Sequence, residues 1–163
     1  MGKSPDSWIK INTDESKNVK GYSSSGRICR DHSGNMIVAF VSSLGMTSSN
    51  MTEARAVLFG LHWYVLSGYS QLILECDSLL VVKMLKGVNK VPWQMHGVMS
   101  LEKPKALSTR LILIAEFNIA LGGANQVANT LAKWSIDKTD AVFTSSSDLP
   151  HGAKGPYRLD MAG

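Results

Sequence analysis

Cysteine is scarce in this sequence: only Cys29 and Cys76 occur among 163 residues. Their number and spacing suit neither a disulfide framework nor a zinc site, and two buried thiols in a reducing compartment are expected. Long apolar runs are also missing. The best candidate, Ala56–Leu66, carries Gly60 and His62 and is too short and too polar to span a bilayer. No membrane association is expected. Met1–Asp6 has no apolar core, so no signal peptide is expected there. Asn50-Met51-Thr52 then reads as a chance match to the glycosylation triplet. These absences point to an intracellular protein, with cytoplasm and nucleus left open.

Charged residues make up only 18% of the chain, but hydrophobic residues reach 44%. That balance excludes a disordered chain and allows a real core. The length suits one domain rather than two. A net charge of +4 permits contact with nucleic acid without demonstrating it.

Hydrophobic periodicity predicts the order β-β-β-α-β-α-α-β-α. Trp8–Thr13 alternates as a half-buried strand does, and Asp14–Asn18 reads as a polar turn. Gly21–Arg30 and Met36–Val41 read as two further strands, separated by the turn Asp31–Asn35. Met51–Ser67 has helical spacing and ends at Gly68. Gln71–Glu75 reads as a strand and Asp77–Lys86 as a short helix. Pro92 to Leu107 is expected to be helical despite Pro104. Thr109–Phe117, with Leu111–Ile114, is expected to be a buried strand. Asn125–Ile136 reads as the last helix. A meander followed by strand-helix alternation implies a mixed sheet of five strands, three antiparallel and two parallel, flanked by helices. The domain is expected over residues 1–137, with a loosely ordered tail over 138–163.

Three acids stand at informative places. Asp14 ends the first predicted strand, Glu53 lies in the first turn of the first helix, and Asp77 follows the fourth strand. Neighbouring first and fourth strands would bring them together, and close carboxylates repel unless cations neutralise them. Magnesium or manganese suits such oxygen ligands, and two such ions can assist displacement at a phosphodiester. Each acid also has a local explanation. Glu53 follows Asn50 by three, a variant of the capping box; Asp77 could cap its helix; Asp14 could be a turn residue.

Five blocks in order tip that balance: Trp8–Asp14, Arg30–Asn35, Thr52–Ala56, Glu75–Ser78, and Asn125–Ala128 with Leu131–Lys133. Together they resemble the plant ribonuclease H-like domain, described as reverse-transcriptase-like and derived from non-LTR retrotransposons. The stretch from Asp148 to Asp160 is similar to the end of such domains. The family is in turn similar to type 1 ribonuclease H. The resemblance implies a ribonuclease H-like α/β fold and metal-dependent hydrolysis of RNA in RNA/DNA hybrids. It also implies the metal ligands and catalytic residues Asp14, Glu53 and Asp77, with Asn129 in the fourth ligand position. Asn50 is implied to contact the hybrid, where the 2′-OH identifies RNA.

The match has gaps. Asn129 stands where the family carries an acid, so activity is expected to be weakened. Glu15 replaces a glycine beside the first ligand, and its extra carboxylate either perturbs the site or faces solvent. Gly26-Arg27 replaces a glycine pair. Ile119–Asn125 lacks the histidine, arginine and glutamate usual before the last helix. His32, His62, His96 and His151 have no partner pattern that suggests catalysis. Lys83, Lys86, Lys90, Lys103, Lys105 and Arg110 form a phosphate-tracking surface or a merely solvated one. Three functions follow: a weakened hybrid ribonuclease, an inactive module that binds hybrid or double-stranded RNA, or a protein-interaction module.

Overall fold

The computed structural model describes residues 8–93, 96, 115–119 and 125–162. β1 (Trp8–Lys17), β2 (Tyr22–Asp31) and β3 (Met36–Met46) form an antiparallel meander. α1 (Ser49–Ser67) leads to β4 (Gln71–Cys76), which pairs with β1 in parallel. α2 (Leu79–Leu85) follows, and β5 (Ala115–Ile119) pairs in parallel with β4. α3 (Gln126–Ser135) follows, so the described elements keep the expected order apart from the helix expected over Pro92 to Leu107, most of which lies outside the described residues. These five strands make the mixed sheet expected from the sequence, three antiparallel and two parallel.

The sheet separates two cores, because alternate strand residues face opposite sides. Ile9, Ile11 and Cys29 pack against Val57, Leu58 and Leu61 of α1. Ile28, Ala39 and Val41 pack on the other side, against Val127 and Leu131 of α3. Both cysteines are buried free thiols, as expected. Burial pushes the Cys76 thiol up to about 12, which keeps it protonated and unreactive. None of the described helices is long and apolar enough to cross a membrane.

Several boundaries differ from the expected ones. β1 does not end at Asp14 but runs on to Lys17, with Glu15, Ser16 and Lys17 opposite Ser25, Ser24 and Ser23. Backbone pairing there needs no apolar side chain, so the hydrophobic alternation stops before the strand does. The turn falls instead at Asn18, whose Oδ1 accepts from the Lys20 and Tyr22 backbone N–H groups. α1 starts earlier, at Ser49.

The segment expected to be a loose tail is ordered. Ala141–Phe143 forms β6, which pairs antiparallel with β3 and gives the order β5-β4-β1-β2-β3-β6. α4 (His151–Ala162) packs on the α3 side through Ala153 and Tyr157. Arg30, nearly buried, reaches Asp160 at 2.6 Å, and the Tyr157 hydroxyl accepts from the Met36 backbone N–H at 3.0 Å. Those partners lie more than 100 residues away in the chain, so local composition concealed them. Most of the segment from Pro92 to Leu107, and all of Leu111–Ile114, lie outside the described residues.

Candidate active site

The register of β1 against β4 aligns Asn12 with Glu75. Two more residues along each strand direction, the chain reaches Asp14 and Asp77. Glu53 approaches from α1. Each of the three carboxylates offers an oxygen, and these atoms lie within 4.8 Å of one another. Asp14 and Glu53 are buried, and Asp77 is exposed.

The local explanations for these acids do not hold. Ser48 caps α1, its side chain accepting from the Met51 backbone N–H, so Glu53 lies beyond capping reach and Asn50 is no cap. Ser78 caps α2, accepting from the Val81 N–H, so Asp77 lies outside that helix. Asp14 lies within β1 rather than in a turn.

Burial first, and then the Asp77 charge, raises Asp14 to about 6, against the opposing pull of hydrogen bonds from Asn129 and the Glu15 backbone. The Glu15 N–H donates to Asp14 Oδ1 at 2.8 Å. Burial raises Glu53 to about 8; the charges of Asp77, Asp14 and Glu15 add to it, and Thr13 opposes. The Thr13 hydroxyl donates to Glu53 Oε1 at 2.8 Å, while Oε2 is buried with no hydrogen-bond partner. That orphaned oxygen, on a side chain only 1% exposed, fits a cation ligand.

Asn129 sits in α3 beside Asp14, and its neutral side chain favours the charged form of that acid. Asp14, Asn125, Gln126, Asn129 and Thr130 line a cleft of about 180 Å³. Asn50 is exposed in the first turn of α1. The four histidines are exposed and none belongs to the acidic cluster. Lys103, Lys105, Arg110 and residues 120–124 lie outside the described residues.

Two supporting residues escaped the sequence reading. Thr13 holds Glu53, and Asn125 donates to the Thr13 carbonyl at 2.6 Å, tying α3 to β1. The alternation of Trp8–Thr13 could have marked Thr13 as facing α1, on the side of Ile9 and Ile11. Nothing local marks Asn125. Gly26 and Arg27 also gain distinct roles. Gly26 lets α3 approach β2, and Arg27 turns to the α1 side, where its guanidinium lies 4.2 Å from the Phe59 ring centre.

The family model described as reverse transcriptase-like matches residues 12–135, a span that includes Asp14, Glu53, Asp77 and Asn129. The chain belongs to this family. The fold of this reverse transcriptase-like domain is also that of ribonuclease H. It is similar to the N-terminal RNase H domain of a Mycobacterium tuberculosis protein, solved as a fusion with maltose-binding protein. That match has a TM-score of 0.69 at 20% identity, over 80% of this chain and 94% of the other. It is similar to LC11-RNase H1 in complex with RNA/DNA hybrid, with a TM-score of 0.66 at 22% identity, over 79% and 96%. It is also similar to RNase H1 from the halophilic archaeon Halobacterium salinarum, with a TM-score of 0.63 at 19% identity, over 80% and 98%. A comparison with curated proteins found no significant match.

Proposed function

We propose that this domain binds RNA/DNA hybrids and cleaves their RNA strand in a reaction that depends on a divalent cation, magnesium or manganese. Its catalytic and metal-ligating residues are Asp14, Glu53 and Asp77, and Asn129 makes the activity weak. The observation that carries this reading is Glu53. A carboxylate that is fully buried, caps nothing and leaves one oxygen unpartnered is costly to the fold. A cation shared with Asp14 and Asp77 offsets that cost.

When bound, divalent ions neutralise the cluster and stabilise the attacking and leaving oxygens of a phosphodiester displacement. The protein's own residues do the positioning. Thr13 fixes one Glu53 oxygen, and the Glu15 N–H fixes one Asp14 oxygen. In this reading Asn50, exposed three residues before Glu53, contacts the nucleic-acid backbone. Exposed Lys86 and Lys90 add positive charge after α2. The sequence resemblance adds a plant, retrotransposon-derived origin to this reading.

One observation favours a second reading, a binding module that has lost its chemistry. Asn129 meets Asp14 with a neutral amide where the family carries an acid. A cleavage assay on an RNA/DNA hybrid, with magnesium and with manganese, separates the two. Slow cleavage by the wild type and none by Asp14→Asn is the expected result. Cleavage that persists unchanged in Asp14→Asn overturns the assignment. Salt-sensitive hybrid or double-stranded RNA binding without cleavage establishes the second reading.

A further inference from the structure

The two faces of β1 carry different residues. Ile9, Ile11 and Thr13 face α1, so Lys10, Asn12 and Asp14 face the other side. Asn12 is only 1% exposed there, yet it belongs to neither hydrophobic core. Its amide is used at both ends. Nδ2 donates to Glu75 Oε2 of β4 at 2.8 Å, and Oδ1 accepts from the Arg30 guanidinium of β2 at 2.7 Å. Lys10 holds the other Glu75 oxygen at 2.9 Å. Arg30 continues to Asp160 of α4 at 2.6 Å. One buried side chain thus joins three strands, and α4 anchors the line of bonds at its far end.

The place of this bridge in the sheet gives it a consequence. The parallel pairing of β1 with β4 ends at Asn12 and Glu75. Two residues further on, Asp14 and Asp77 bring their carboxylates within reach of one ion. Close like charges repel, and no β1–β4 pairing holds the strands there. The Asn12–Glu75 bond is therefore the last cross-strand tether before the acids. Buried polar groups are costly when a partner is lost, and a network whose bonds are made is rigid. Of the buried atoms in this network only Arg30 Nε lacks a partner.

We propose that Asn12 is a positioning residue. Held by Arg30 and Asp160, it sets the spacing of the β1 and β4 ends so that Asp14 and Asp77 share a divalent ion. This rests on the metal reading of Asp14, Glu53 and Asp77. It gives α4 a part in the site, although none of its residues belongs to the acidic cluster.

Titration of the full chain with Mn²⁺ by calorimetry tests this, and the paramagnetic resonance spectrum of the bound ion reports ligand geometry. Asn12→Leu keeps the size and changes no charge. It should weaken binding about tenfold, within the range for groups that support metal ligands, and alter the spectrum of the bound ion. Asp160→Asn acts from α4 and should also weaken binding at about 1 M salt, where distant charges are screened. The double variant should bind no more weakly than Asn12→Leu alone, because both changes act through one bridge. Losses that add in full overturn the role of Asp160. Circular dichroism in chelator confirms that each variant is folded; should Asn12→Leu not fold, Asp160→Asn decides alone. Folded variants that bind Mn²⁺ as tightly as the wild type, with the same spectrum, overturn the positioning role and leave the three-acid site standing. A wild type that binds no Mn²⁺, or binds it no more tightly than Asp14→Asn, overturns both.

Discussion

The two sides of the candidate site are built from different chemistry. Toward α1, Glu53 and Glu15 present buried carboxylate oxygens without donors. Toward α3, Asn125, Gln126 and Asn129 line the cleft beside Asp14 with amides. On the α1 side, burial and neighbouring charges hold Glu53 above its ordinary value; on the α3 side, the cleft is lined by neutral amides.

The strongest way to break this comparison is to push α3 away. A Cβ on Gly26 would lie 2.3 Å from the Ala128 carbonyl oxygen and 2.5 Å from the Ala132 nitrogen. Helix backbone cannot yield as a flexible side chain does. Gly26→Ala should therefore destabilise the protein by about 3 kcal/mol or more, the upper end for overpacking. Urea unfolding measures this, and a loss below about 1 kcal/mol would mean that α3 slides freely on β2.

The next test makes the two sides alike. Asn129→Asp should tighten divalent-cation binding by about tenfold or more and raise any hybrid cleavage. Without cations the same change should lower stability, because it replaces a neutral amide beside Asp14 with a like charge. Unchanged affinity would show that Glu15 or the loop before α3 limits the site instead.

The smallest effect is in pH. Asp14 and Glu53 both have folded-state values above their ordinary ones, about 6 and about 8. The folded state therefore holds their protons more tightly than the unfolded state. Their contribution to stability is full below about 4, and is lost as pH rises through about 6 and then about 8. In chelator, the melting temperature attributable to these groups should fall between pH 5 and pH 8; magnesium or manganese should flatten the fall. A profile identical with and without cations would separate the acidic cluster from metal binding.

Much of the fold was legible because its cause is local. Ile9 and Ile11 alternate with polar neighbours, and α1 has helical spacing that ends at Gly68, where φ is +74°. Boundaries that depended on partners were not legible. Lys17 is in a strand because Ser23 pairs with it, and β6 exists because Ala39–Val41 offers it an edge. The ion pair between Arg30 and Asp160 docks α4 across 130 residues of chain, and no window around either residue signals it.

For the site, residue order and family likeness supplied the acids and the missing fourth carboxylate. Periodicity by itself established a mixed sheet with helices, since the faces of strands and helices are written at spacings of two and about 3.6 residues. Only the tertiary structure removed the capping explanations, by showing that Ser48 and Ser78 occupy those roles. Only it decided that Glu15 turns inward while Asn129 meets Asp14. The reason is physical: hydropathy is read within one element, whereas burial and hydrogen-bond satisfaction belong to groups brought together from several.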